Sequence, residues 1–262
     1  MAKIVLINKN EIEKELKLAG WHASVSYDSK NFNETVVAKH CIEAGHGTTT
    51  RGMRFIFEIS EVSRAFSHEF VRHELGVYKV QRSQRYVNED GFKYVTPDAL
   101  VDIRVLAKIP LVTFDPVSNN YTYEDTIETW LSYHDFQDIV KQMYTGFVKA
   151  GAKPEDARYA LTNATFTKIH VIMNWEGLDQ FCYRRCCTRA QWEIRDVAFQ
   201  AKAEVTSVSE FLGNKLGAHC LKHGYCPELP KGCGIAPNKK DFLDTFLIGK
   251  EVIQNQKYKL AD

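Results

Sequence analysis

The chain has 262 residues, 44% hydrophobic and 12% aromatic, which suits one large folded domain and excludes a disordered protein. Its 34 basic and 33 acidic residues leave a formal charge of +1, which argues against a broad nucleic-acid or membrane surface but not against one small anion pocket. No apolar run approaches the ~20 residues that span a bilayer, and MAKIVLINKNEIEKEL meets charge too early for a secretory signal, so the expected location is the cytoplasm.

Lys3 to Ile7 reads as a first strand, and Asn10 with Glu13 three residues on has capping-box spacing for a helix. A second helix is expected from Asn33 to Gly45, with Val36, Val37, His40, Cys41 and Ala44 on its apolar side. Met53 to Ile59 alternates, which puts Met53, Phe55, Phe57 and Ile59 on one strand face. After Ser60 a helix is expected to bury Val62, Ala65, Phe66 and Phe70.

Further on, Thr122 to Ala150 carries a long helical pattern ended by Gly151, and Pro154 opens another helix with Glu155 and Asp156 in its first turn. ATFTKIHVIM, residues 164–173, is rich in β-branched side chains and reads as a strand, after which Asn174 caps a helix. A last long helix is expected from Arg189 to Leu216. Strands and helices alternate without a βαβ rhythm or a GxGxxG turn, so the expectation is a single mixed α+β domain over residues 1–262. Its central mixed or antiparallel sheet would be flanked by long helices.

The seven cysteines are expected to be mostly reduced in a cytoplasmic chain. Three of them, Cys220, Cys226 and Cys233, lie in a tail (residues 217–262) with Gly, Pro, His219 and His223. That tail could clip a metal, but it has no CxxC pair and fits no common zinc spacing, so packed or exposed thiols are expected ahead of a zinc site and no metal ligand is assigned.

EFVRHELGVYKVQRSQRYV, residues 69–87, holds the densest chemistry. Glu69 and Arg72 are three apart and would share a helix side, while Ser83 and Arg85 are two apart and would share a strand side. Two guanidiniums and a hydroxyl suit a phosphate; the bland alternative is a helix end with solvated charges. Downstream, Asn174, Leu178, Phe181 and Arg185 form one helical stripe, so Arg185 faces the same way as residues that should be buried. Such an arginine needs an anionic partner, either a ligand or an internal acid such as Glu193. Arg158, near a helix start, suits an anion or a plain helix surface equally.

The stretch resembles the signature of the flavin-dependent thymidylate synthases (the ThyX family), which reads RHR, seven residues, then Ser, commonly as SxRY. Its counterparts here are Arg72-His73-Glu74 and Ser83-Gln84-Arg85-Tyr86, led in by EVSRAFSHEFVRH at residues 61–73. A second block, Arg185 followed by Arg189-Ala190-Gln191-Trp192-Glu193-Ile194-Arg195, is similar to the family's R-x4-AQWEI segment. The resemblance covers roughly residues 35 to 212. It implies one-carbon transfer from methylenetetrahydrofolate to C5 of deoxyuridylate, with hydride from reduced FAD, NADPH as reductant, and a homotetramer with shared active sites. It also implies nucleotide contacts at Glu69, Arg72, Gln81, Arg82, Ser83, Gln84, Arg85, Arg158 and Arg185, with Arg185 stabilising negative charge on the pyrimidine. Flavin contacts would fall on Arg72, His73, Glu74, Asn174, Glu176 and Gln180.

The chain departs from that pattern at several places. Glu74 stands for the last Arg of RHR, Glu69 for a Gln, Arg51-Gly52 for Glu-His, and Asn174-Trp175-Glu176 for Asn-x-Arg; the segment before Ser83 is one residue longer. Two acids, Glu74 and Glu176, are thereby expected to face a flavin diphosphate and repel it. A pyrimidine-nucleotide hydroxymethylase, completed by water instead of hydride, and a non-catalytic nucleotide-binding paralogue are the alternatives. The base, uracil or cytosine, stays open at this point.

Overall fold

The computed structural model describes residues 2–228 and 232–242. In chain order its elements are β1 (Lys3–Leu6), α1 (Ile12–Tyr27), α2 (Glu34–Glu43), α3 (Gly47–Thr50), β2 (Arg54–Ser63), α4 (Arg64–Phe70) and β3 (Val77–Gln81). Then follow β4 (Arg104–Asp115), β5 (Asn120–Ser132), α5 (Tyr133–Lys149), α6 (Pro154–Ala157) and β6 (Phe166–Asn174). The last helices are α7 (Trp175–Arg185), α8 (Trp192–Val208), α9 (Glu210–Lys215) and α10 (His219–His223). One sheet has the order β1-β2-β6-β3 and a second pairs β4 with β5, so the fold is mixed α/β as expected.

The chain clusters into two compact units. The larger contains residues 2–60, 68–80 and those from 169 onward. Here β1 pairs antiparallel with β2, and the alternation of β2 buries Phe55, Phe57 and Ile59 with Met53 just before it, each no more than 1% exposed. Leu178 and Phe181 of α7 and Ile194, Val197 and Ala198 of α8 are fully buried in the same unit. Glu204 of α8 fastens the first strand, accepting the Leu6 amide at 2.7 Å and pairing with Lys9 at 2.9 Å.

The smaller unit contains residues 61–67 and 81–168. It holds the β4–β5 ribbon, paired antiparallel from Arg104↔Ser132 to Asp115↔Asn120, and α5, whose Tyr144 is fully buried and accepts the Glu89 amide at 2.9 Å.

Several expectations need correction. Residues 122–132 form a strand, not the start of a helix: Thr122, Tyr123, Thr126, Ile127, Thr129 and Trp130 are β-formers, and residues 104–115, to which periodicity assigned no element, supply their partner. The helix begins only at Tyr133, where Ser132 and Asp135 close a capping box. Asn10 caps nothing; it sits in a 3-10 turn, and Asn8 instead ties that turn to β2 through Arg54 O and Ile56 N. On α2 the buried residues are Ala38 and Cys41, while Val36, His40 and Ala44 are exposed. Val62 belongs to β2 and Ala65 is exposed. The helix expected over 189–216 breaks at Ser209, whose extended backbone and hydroxyl cap a new helix. The expected strand, capped helix and loop at Ala164–Met173, Asn174 and Gly151 are present. The tail at 217–262 lies outside the described residues at 229–231 and 243–262.

Candidate active site

Two glycines let the segment after α4 lie against the start of α7. Gly76 has φ +63°, and a Cβ there would stand 2.0 Å from Asn174 Oδ1; a Cβ on Gly177 would stand 2.6 Å from Leu75 O. Asn174 itself is locked, its Oδ1 accepting Gly177 N at 2.8 Å and its amide donating to Gly76 O at 2.8 Å. This arrangement lines a cavity of about 360 Å³ with Arg72, His73, Glu74, Gln180, Arg184 and Arg185, among others.

Arg185 ends the α7 stripe and its side chain is 22% exposed. Its partners are Glu69, 3.1 Å from Nη1, and His73, whose Nε2 accepts from Nε at 2.9 Å. Glu193, the acid considered from sequence, is not among those partners. Burial first, then the Arg185, Arg184 and Lys79 cations, lowers the His73 pKa to about 4. His73 is therefore neutral near pH 7, as an acceptor from a guanidinium must be. Its ring is wedged edge-on against Phe181, with centroids 5.2 Å apart. Lys79, which sequence reasoning missed, donates its ammonium to the Val71 and His73 carbonyls and fixes the turn. Only its position two residues into β3, facing the turn, hints at this role.

Arg72 lies in the turn past the end of α4, exposed, so Glu69 and Arg72 do not share a helix face. Among the described residues the Arg72 guanidinium has no ion-pair partner. Glu176 is paired with Arg51 at 2.7 Å, so its charge is compensated; Glu74 is exposed on the cavity wall. Sequence reading flagged Arg51 and Glu176 separately as departures and did not join them.

The remaining expected nucleotide contacts lie in the smaller unit. Ser83, Gln84 and Arg85 form a turn, not a strand, because β3 stops at Gln81 and the Val87 amide closes back onto Ser83 O at 3.2 Å. Ser83 Oγ accepts the Arg85 amide at 3.2 Å, and Arg85 Nε pairs with Glu155 at 2.8 Å. Arg158 Nε donates to the Glu155 carbonyl at 3.0 Å, so Glu155 gathers two of the expected arginines. Gln81 donates to Thr167 Oγ1 at 3.2 Å, and Gln84 Nε2 is buried without a partner. Arg82 is committed to Glu89 at 3.0 Å; burial pushes the Glu89 carboxyl up, and Arg82 and Arg64 pull it back.

A neutral histidine, a guanidinium held by a carboxylate and two further arginines around one cavity suit an anionic or strongly accepting ligand. The family model described as "Thymidylate synthase complementing protein" matches residues 6–209. The flavin-dependent thymidylate synthase of Clostridium tetani is 35% identical over 201 residues, 75% of each chain. That of Pyrococcus abyssi is 32% identical over 254 residues, 89% of this chain and 93% of its own. Arg72-His73, Ser83 and Arg185 all fall inside the matched span, and the chain belongs to the thymidylate synthase complementing protein family, the flavin-dependent thymidylate synthases.

Proposed function

We propose that the chain is a flavin-dependent thymidylate synthase that methylates deoxyuridylate, using methylenetetrahydrofolate as one-carbon donor and NADPH as reductant. The observation that carries this reading is Arg185, positioned by Glu69 and neutral His73 in the cavity wall. Among the described residues no hydrogen bond uses Arg185 Nη2, which leaves donors for a pyrimidine that gains negative charge during attack at its C6–C5 bond. Arg72, Ser83, Arg85 and Arg158, with Glu69, Gln81, Arg82 and Gln84 around them, are the residues proposed to hold the nucleotide.

FAD, when bound, supplies the hydride that converts the transferred carbon to methyl. The donor set fits it: among the described residues Arg72 has no ion-pair partner, and the Arg51 partner offsets the repulsion expected of Glu176. Residues proposed to hold it are Arg72, His73, Glu74, Asn174, Glu176 and Gln180. We further propose that residues 1–262 act as one such domain in a cytoplasmic homotetramer. Among the described residues no helix is long and apolar enough to cross a membrane.

Incubation with deoxyuridylate, methylenetetrahydrofolate, FAD and NADPH, read by mass analysis, tests the reading. Thymidylate is expected, and none without NADPH. A hydroxymethylated nucleotide formed without reductant would instead mark the hydroxymethylase, and bound but unchanged nucleotide the binding-only paralogue.

A further inference from the structure

The turn that carries Ser83 and Arg85 is fastened at both ends. At its start the Arg82 amide donates to Lys168 O of β6 at 2.9 Å. At its end the fully buried Tyr144 of α5 accepts the Glu89 amide at 2.9 Å and donates its hydroxyl to Asn88 Oδ1 at 3.3 Å. Side chains then tie the two ends together. Arg82 Nη2 donates to Glu89 Oε2 at 3.0 Å, and Arg64 Nη2, from the first residue of α4, donates to Arg82 O at 3.0 Å. Arg64 is set in turn by its own amide, which donates to Thr165 O at 3.2 Å. All of these groups belong to the smaller unit.

Glu89 is the centre of this brace. Its side chain is 5% exposed, against 44% for Arg82. The Arg82 and Arg64 cations both stabilise its carboxylate, while Arg158 stands near enough to Arg64 to oppose it. The local balance of charge is therefore positive, which suits a phosphate monoester close by. As a device for stability alone the cluster is a poor one. A half-buried ion pair gains little over its desolvation cost, and Glu89 Oε1 and Arg64 Nε are buried with no partner among the described residues. What the cluster does supply is geometry, since the carbonyl and the side chain of the residue just before Ser83 are both held.

We propose that Glu89 and Arg64 are positioning residues for the nucleotide: through Arg82 they fix the turn from which Ser83 and Arg85 reach the phosphate. The inference rests on the deoxyuridylate site proposed above and narrows it, because Arg82 is then the brace and not a phosphate contact. A preset turn spares the cost of ordering Ser83 and Arg85 when the nucleotide arrives. Sequence reading counted Arg82 among the nucleotide contacts and passed over Arg64 and Glu89, which only the fold joins to it.

Calorimetry with deoxyuridylate and steady-state rates, on the full chain with FAD, test this in a double-mutant cycle. Glu89→Gln, which keeps the shape but drops the charge, and Arg82→Ala should each weaken nucleotide binding about tenfold, and the double variant no more than either alone. KM for deoxyuridylate should rise in step while kcat stays within about threefold, since contacts to the phosphate act alike before and during the reaction. FAD affinity should be unaltered, because the residues proposed to hold the flavin belong to the larger unit. Arg64→Gln, which keeps the Arg82–Glu89 pair, should show the same selective rise in KM at smaller size, and decides the matter if the Glu89 variant does not fold. A purely structural role would lower the melting temperature and leave KM where it was. Additive losses in the cycle, a parallel loss of FAD affinity, or an unchanged KM in the folded variants overturns the proposal while the native chain still binds deoxyuridylate. A native chain that binds none would overturn the nucleotide site itself, and the brace with it.

Discussion

Arg51 Nε stands 2.7 Å from Glu176 Oε2, joining the two positions where this chain exchanges an acid for a base and a base for an acid. The pair raises the Arg51 pKa through its hydrogen bond and charge contact with Glu176. Because Arg51 is solvent-exposed, the pair adds little to stability. Its consequence is local: Glu176 does not present a bare negative charge.

Removing Arg51 uncovers that charge. Arg51→Ala should weaken FAD binding by roughly 3- to 10-fold, more at low salt than at high salt. The reversed pair, Arg51→Glu with Glu176→Arg, should bind FAD at least as well as the native chain. Fluorescence titration of FAD decides it; unchanged affinity in Arg51→Ala would mean that Glu176 lies away from the flavin phosphates.

Arg185 carries the heavier prediction. Arg185→Ala should abolish turnover and weaken deoxyuridylate binding by ~2–5 kcal/mol, since it deletes a largely buried charge contact. Glu69→Gln keeps the guanidinium but loosens its orientation, so kcat should fall more than affinity. Calorimetry with deoxyuridylate and steady-state rates separate the two. Nucleotide affinity unaltered in both Arg185→Ala and Arg85→Ala would remove the proposed nucleotide site.

In the smaller unit Arg85 is held by Glu155 at 2.8 Å, a partner that competes with any phosphate. Glu155→Gln should therefore tighten deoxyuridylate binding by a few-fold at low ionic strength, while Arg85→Ala weakens it. If both substitutions leave the binding isotherm unmoved, the Ser83–Arg85 turn is not a phosphate contact.

What the sequence made legible follows from how local each signal is. The β2 alternation and the Asn174 cap depend on neighbours a few residues away, and both are present. The α7 stripe likewise placed Arg185 beside buried residues, yet its partners, Glu69 and His73, are 116 and 112 positions distant. No periodicity encodes such a pairing. The ribbon was missed for the same reason. Tyr123, Ile127 and Trp130 satisfy a helical period although each is a β-former, and only pairing with residues 104–115 decides between the two. The two-residue spacing of Ser83 and Arg85 reads as one strand face, but β3 ends at Gln81 and the chain turns there.

His73 supplies a pH signature. Its folded pKa is lowered from 6.5 to about 4, so between those values the unfolded chain binds a proton that the folded chain does not. That contribution to stability is present above about 6.5, falls as pH drops through the window, and is gone below about 4. Protonation also removes the acceptor for Arg185 Nε and sets a cation against a cation, so nucleotide binding should weaken over the same range. His73→Gln keeps an acceptor that does not titrate. Chemical denaturation and nucleotide titration across the window should show a shallower acid slope in His73→Gln than in the native chain. Parallel slopes would show that His73 is not the titrating group, and the Arg185–His73 contact would then need another explanation for its neutral acceptor.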